Sequence, residues 1–179
     1  MRRWFGKGQK AKEAAGNAGR KRHLFPQHDI DPAVAWIVRF QARGYTLSLQ
    51  RHREDGRGNY YMFTNAATGL NVSFYIEPAQ CATAEACREN SWRNRSPLLA
   101  DALLIGRFER NGFPCLEFLT TYRVPDPPGE MVEQHHVSAH LLREGYWVDL
   151  HLSMMPNKPS DRQVFLDFVD SITVEPKGR

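Results

Sequence analysis

Residues 137–153 read VSAHLLREGYWVDLHLS. Apolar and polar side chains alternate on both sides of Glu144-Gly145, with the period of two that is typical of half-buried strands. A two-residue turn at Glu144-Gly145 pairs Leu141 with Val148 and predicts an antiparallel hairpin of Val132–Leu142 and Tyr146–Ser153. One face of this hairpin is wholly apolar and must be the buried one. Its members are Val137, Ala139, Leu141, Val148, Leu150 and Leu152.

The opposite face of the hairpin gathers the densest cluster of reactive side chains in the chain. In this register His140 lies opposite Asp149, and Ser138 lies opposite His151. Directly opposed Cβ atoms are ~4.5–5.5 Å apart, so His140, Asp149 and His151 can converge on one ion. Two imidazoles and a carboxylate are suitable ligands for zinc, which is the one cofactor that the sequence suggests.

Two other interpretations of the same face stay open. In one, it is a polar outer face on which His–Asp and His–Ser pairs satisfy each other. In the other, Ser138 belongs to a Ser–His–Asp catalytic set. A serine in the middle of a strand lacks the strained, accessible position and the oxyanion hole that such a nucleophile needs. Trp147 on this face is a candidate binding residue.

Five further strands are predicted before this hairpin. Period-two alternation marks residues 45–50, 60–64 and 70–76, and turn residues separate these runs. Asn111-Gly112 is a strong hairpin signal and joins Leu103–Arg110 to Phe113–Arg123. Because the links are of hairpin length, the resulting sheet of about seven strands is expected to be antiparallel.

Three helices complete the prediction. Asp31 as N-cap, Pro32 and an apolar stripe predict a helix over Asp31–Arg43. Thr83 caps a second helix that runs to about Arg93. Ser160 and Gln163 form a capping box for the last. Its apolar face comprises Val164, Phe165, Phe168, Val169 and Ile172. The predicted order is αβββαββββα, an α+β fold with helices packed on the sheet.

From Leu70 to Val174 this layout resembles the PsbP/Mog1/DcrB-like group. Three local features carry the resemblance. The strand Leu70–Glu77 runs into a helix with Cys87-Arg88-Glu89 and Trp92. The tip of a later hairpin is Gly112-Phe113-Pro114, and residues 145–153 precede a helix that ends at Ile172. The resemblance implies an α/β/α sandwich that binds or assists other proteins, and it implies no catalytic residues. The helix Asp31–Arg43 departs from the group, which usually opens with strands.

Charge divides the chain into an arm and a domain. Residues 1–23 hold eight basic side chains against Glu13, a net charge of +7, while the whole chain is +4. The remainder is therefore −3 and mildly acidic, so nucleic acid is not an expected partner. We predict that residues 1–29 form a basic, disordered arm with weak affinity for anionic membranes through residues 1–23, and that residues 30–179 form one domain.

Three cysteines are too few for a disulfide scaffold, and an odd number cannot all pair within one chain. Cys81 and Cys87 bracket the start of a helix, so they either form a small bridge or remain thiols, as Cys115 does. The basic start lacks the apolar segment of a signal peptide, which predicts a cytoplasmic location.

No strong catalytic motif is present: the chain has no Gly-x-Ser-x-Gly, no phosphate-binding loop and no His-Glu-x-x-His. The sequence therefore predicts a non-enzymatic binding, adaptor or assembly protein with a protein partner. The alternative is a metal-dependent or hydrolytic enzyme that uses His140, Asp149 and His151. Arg88 and Trp92, four residues apart on a helix, are further candidate binding residues.

Overall fold

The structure is a computed structural model that describes residues 27–32, 34–42, 47–54, 58–99, 101–123 and 129–178. The elements, in chain order, are β1 (Gln27–Ile30), β2 (Trp36–Gln41), β3 (Ser48–Glu54), β4 (Asn59–Asn65), β5 (Leu70–Pro78), α1 (Ala84–Arg95), a 3-10 turn (Ser96–Leu98), β6 (Leu103–Arg110), β7 (Phe113–Arg123), β8 (Met131–Arg143), β9 (Tyr146–Met154), α2 (Asp161–Asp170) and β10 (Thr173–Pro176). Residues 1–26 of the predicted arm, with their membrane contact, lie outside the described residues and stay predictions. The end of the arm is corrected, because residues 27–29 belong to β1, a strand that was not predicted.

Seven strands form one antiparallel sheet in the order β3-β4-β5-β9-β8-β7-β6, and β1, β2 and β10 form a second, three-stranded sheet. The α+β class and the seven-stranded sheet are as predicted. Both predicted two-residue turns are present, since Asn111, Gly112, Glu144 and Gly145 have φ between 51° and 78°. Positive φ at both central residues matches the right-handed twist of the flanking strands.

The predicted helix Asp31–Arg43 is wrong. Residues 36–41 form β2, which pairs with β10 on one side and β1 on the other. Trp36, Val38 and Phe40 are buried while Ile37 and Arg39 are half-buried, a pattern with period two. Trp36 and Phe40 fit both a helical and a strand period, and the adjacent β-branched Ile37 and Val38 favour the strand. The short strand β10 was not predicted.

The main core lies between the apolar face of the large sheet, the small sheet and α2. The Phe40 ring is 5.1 Å from that of Phe74 on β5 and 5.0 Å from that of Phe168 on α2, measured between ring centroids. The predicted apolar face of α2 is confirmed, because Phe165, Phe168 and Val169 are buried. The capping box is wrong, because the Ser160 side chain makes no capping bond.

The helix α1 lies on the opposite face of the large sheet, against β7 and β8. Its predicted cap is confirmed: the Thr83 hydroxyl accepts a hydrogen bond from the Ala86 backbone N–H at 3.1 Å. The Cys81–Cys87 disulfide joins the segment before α1 to its first turn. α1 therefore covers the face of the β8–β9 hairpin that carries the reactive side chains.

Candidate functional site beneath helix α1

The register predicted for the β8–β9 hairpin is confirmed. His140 pairs with Asp149 and Ser138 pairs with His151. The face is nevertheless not a polar outer face, which corrects that interpretation, because α1 covers it and leaves His140 0% and Asp149 3% exposed. We call His136, His140, Asp149 and His151 the buried cluster.

Hydrogen bonds determine the tautomer of His140. The indole N–H of Trp147 donates to His140 Nδ1 at 3.2 Å, so the proton of a neutral ring is on Nε2. His140 Nε2 then donates to the Ser138 hydroxyl at 3.1 Å. Burial lowers the pKa of His140, although the Asp149 carboxylate opposes this effect. His140 is therefore a neutral ring with both nitrogens bonded within the protein.

A second pair of imidazoles forms a chain towards β7. His136 Nδ1 is 3.0 Å from His151 Nε2, and His136 Nε2 is 2.7 Å from the Thr120 hydroxyl. The Phe118 ring stacks on His136 at 4.5 Å between centroids. Burial, followed by the neighbouring His151, lowers the pKa of His136 to about 3. Burial and the nearby Arg95 lower the pKa of His151 to about 4.

Asp149 holds α1 to the sheet through one of its two oxygens. Arg95 donates to Oδ2 at 2.5 Å, and the Ser91 hydroxyl donates to the same atom at 3.4 Å. Burial resists ionisation of Asp149, but Arg95 and the histidines nearby keep its pKa below the ordinary value. Among the described residues, Oδ1 has no hydrogen-bond partner. Oδ1 lies 3.9 Å from His140 Nδ1, beyond hydrogen-bond distance.

The structure brings two of the three predicted zinc ligands together. His140 and Asp149 lie side by side, whereas His151 turns its Nε2 to His136. Within the described ranges, no group of three or more His, Cys, Asp or Glu side chains has an arrangement suited to a metal ion. Zinc at His140, Asp149 and His151 stays a prediction that titration can test.

Titration of the purified chain with zinc, followed by calorimetry, is expected to show no binding tighter than tens of micromolar. The reason is that Trp147 and Ser138 occupy both nitrogens of His140, and His136 occupies one nitrogen of His151. His151→Ala is the companion variant. Stoichiometric, tight binding that this substitution abolishes would contradict the expectation.

The other predicted binding residues have different environments. Arg88 donates to the Glu89 carboxylate at 2.9 Å and to the Cys115 carbonyl at 3.5 Å, and its side chain is only 14% exposed. Trp92 packs on Phe118 at 5.2 Å between centroids. Both residues attach α1 to the sheet, whereas Trp147 lines a cavity at the edge of the buried cluster.

That cavity and a neighbouring one, each about 280 Å³, form the feature that sequence reasoning did not find. They share Tyr75, Arg95 and Asp149, and we call them together the cleft. The remaining lining residues are Tyr60, Ser73 and His151 in the first cavity, and Ser91, Asn94, Leu98 and Trp147 in the second. Tyr75 reaches Asp149 because β5 pairs with β9, a long-range pairing that no local pattern indicates.

Cys115 offers no reactive thiol. It is buried on β7, and burial raises its pKa to about 12. A thiol with such a pKa has almost no thiolate at neutral pH, and the thiolate is the nucleophile. Cys115 is therefore a core residue, as the sequence indicated.

The lowered histidine pKa values predict acid sensitivity. An unfolded histidine titrates near 6.5, whereas His151 and His136 titrate at about 4 and about 3 in the fold. Between these pH values the unfolded chain binds more protons than the folded chain. The free energy of unfolding therefore has its full value above about pH 6.5 and decreases as the pH falls below it. The maximum slope is about 1.4 kcal/mol per pH unit for each group. Urea unfolding at a series of pH values measures it.

His136→Gln is expected to make the pH dependence of the free energy of unfolding shallower. His52→Gln, at an exposed position, is the matched control and should leave the pH dependence unchanged. Equal slopes in the two variants between pH 6.5 and 4 would show that the buried cluster does not carry the effect.

The chain is an α+β sandwich with a large antiparallel sheet, a helix on each face of it, and a polar cluster beneath α1. No family model matches the chain, and a search of curated proteins found no significant match. None of the helices in the described ranges is both long and apolar enough to cross a membrane.

Two solved structures show what the chain is similar to. LpqN, described as involved in cell envelope biogenesis of Mycobacterium tuberculosis, has 11% sequence identity and a TM-score of 0.49, over 84% of this chain and 91% of LpqN. Cyanobacterial PsbP from Synechocystis sp. PCC 6803 has 16% identity and a TM-score of 0.49, over 86% of this chain and 95% of PsbP. The resemblance to the PsbP/Mog1/DcrB-like group is one of fold, and nothing about activity follows from it.

Proposed function

We propose that this chain is a binding protein of adaptor or assembly type without catalysis of its own, and that its partner binds at the cleft. The observation that carries the proposal is the sealing of two of the three histidines beneath α1. His140 and His136 are 0% and 3% exposed, and hydrogen bonds within the protein occupy both nitrogens of each ring. A general base must reach the proton that it removes, and these imidazoles do not.

The cleft supports a binding role because aromatic side chains and convergent polar groups line the same concave surface. Leu98 at the cleft is 83% exposed and offers an apolar contact to a protein partner. The rival function is a metal-dependent or hydrolytic enzyme, and the proximity of His140 to Asp149 is the observation in its favour.

A substrate panel separates the two functions. We expect esters, phosphate esters and peptides, each with and without added zinc, to be turned over no faster by the wild-type chain than by Asp149→Asn. Turnover that needs Asp149 or His151 would end the proposal. Binding to a peptide array that Leu98→Asp abolishes, and that Leu103→Asp on the edge strand β6 leaves intact, would support it.

The location is a separate proposal. Disulfides are rare in the cytosol, so the Cys81–Cys87 bridge favours an oxidising compartment over the cytoplasm expected from the sequence. Thiol labelling of denatured protein taken directly from its source cells distinguishes an oxidising compartment from the cytoplasm. One reactive thiol per chain indicates the bridge, and three indicate a reducing compartment.

A further inference from the structure

We propose that the cleft binds a neutral ring with adjacent hydroxyl groups, that is, a sugar residue. This inference rests on the proposed function and names the chemical group of the partner that the same site recognises. Four features of the cleft support it: one buried oxygen of Asp149, the exposed part of Arg95, the balance of charge, and the aromatic walls.

Asp149 supplies an acceptor that the protein leaves unmatched. Oδ2 accepts from Arg95 and Ser91, whereas Oδ1 has no partner among the described residues, although Asp149 is only 3% exposed. A buried carboxylate oxygen without a donor is costly, so an additional donor to the Asp149 carboxylate, such as a hydroxyl group of a ligand in the cleft, is favourable. Asp149 lines both cavities, so a ligand in either one is next to this residue.

Arg95 supplies donors beside that acceptor. A guanidinium carries five N–H donors, and the side chain of Arg95 is 35% exposed at the cleft. A hydroxyl group both donates and accepts, so two adjacent hydroxyls on one ring can donate to Asp149 and accept from Arg95. Ser73 lines the same cavity and provides one more hydroxyl.

The charge of the cleft favours a neutral ligand. Arg95 and Asp149 form an ion pair and cancel each other. His151, the histidine that lines the cleft, is neutral at physiological pH because burial lowers its pKa to about 4. Arg95 attracts a phosphate while Asp149 repels it, and the reverse holds for an ammonium group, so the ion pair gives a charged ligand no net attraction that would offset the loss of its hydration.

The aromatic walls suit the apolar face of a sugar ring. Tyr60 and Tyr75 are paired neighbours on β4 and β5, and both line the first cavity. Trp147 lines the second, and its bond to His140 holds the indole in place. An aromatic surface that is already fixed loses little conformational entropy when a ligand packs on it.

The test is binding of the full chain to a panel of neutral monosaccharides and disaccharides, followed by calorimetry and by backbone amide NMR. Inorganic phosphate, a lysine-containing tripeptide and AMP are the comparison probes. We expect one or more saccharides to bind and to shift the amides of Tyr75, Arg95 and His151. Tyr75→Leu should weaken binding about tenfold or more. Ser73→Ala is the milder second variant, and Tyr122→Leu, far along β7, is the matched control with unchanged affinity.

The proposal is overturned if no saccharide in the panel binds, or if Tyr75→Leu and Tyr122→Leu bind equally well. Binding of the tripeptide alone would also overturn it while leaving the proposed binding function in place. Hydrolysis of a saccharide probe would end both proposals.

Discussion

Replacing Phe168 by alanine is expected to lower the free energy of unfolding by about 3–5 kcal/mol. Phe168 is 4% exposed, and its ring centroid lies 5.0 Å from that of Phe40 on the small sheet. The substitution removes the ring contact between α2 and the small sheet and leaves a cavity in the main core. Urea unfolding followed by circular dichroism measures the loss.

Leu98→Ala is the control for this experiment, since Leu98 is 83% exposed and a surface change costs less than about 0.5 kcal/mol. A loss below about 1 kcal/mol for Phe168→Ala would show that the packing of α2 against the sheets is wrong.

Arg95→Ala is expected to have the second-largest effect, a loss of about 3 kcal/mol. It leaves the buried carboxylate of Asp149 with only the Ser91 hydroxyl as a donor, at 3.4 Å. The value is at the low end for a broken buried pair because the Arg95 side chain is 35% exposed. Thermal and urea unfolding of the variant and the wild type measure the loss.

A double substitution tests whether the buried charge is the cause. Adding Asp149→Asn to Arg95→Ala should recover about 1–2 kcal/mol, since the amide carries no charge. Arg107→Ala breaks the more exposed pair with Glu89 on the same helix and should cost less than about 1 kcal/mol. Equal losses for Arg95→Ala and Arg107→Ala would contradict the role given to Asp149.

The register of the β8–β9 hairpin could be predicted from local sequence patterns alone. Alternation and the turn at Glu144-Gly145 predict the pairing of His140 with Asp149 and of Ser138 with His151, because a shift of one residue would turn the apolar face to solvent. The same kind of pattern was ambiguous in residues 36–41. Trp36 and Phe40 fit two periods there, and pairing with β10, from the other end of the chain, makes this segment a strand.

The environment of the buried cluster could not be predicted in the same way. α1 packs on the sheet through Ser91, Trp92 and Arg95, so no apolar stripe indicates that it covers the histidines. Burial by α1 changes His140 from a candidate ligand into a neutral ring with satisfied nitrogens. The cleft depends likewise on the pairing of β5 with β9, which brings Tyr75 beside Asp149.

The histidines beneath α1 are neutral and structural in this fold, and two of them, His136 and His140, are sealed from solvent. Long-range proton–nitrogen NMR spectra of the imidazoles, recorded from pH 7 to pH 5.5, test this claim most directly. We expect His136, His140 and His151 to stay neutral throughout and His140 to carry its proton on Nε2. A midpoint near 6.5 for any of the three would show that solvent reaches the cluster and that its imidazoles are available for acid–base chemistry.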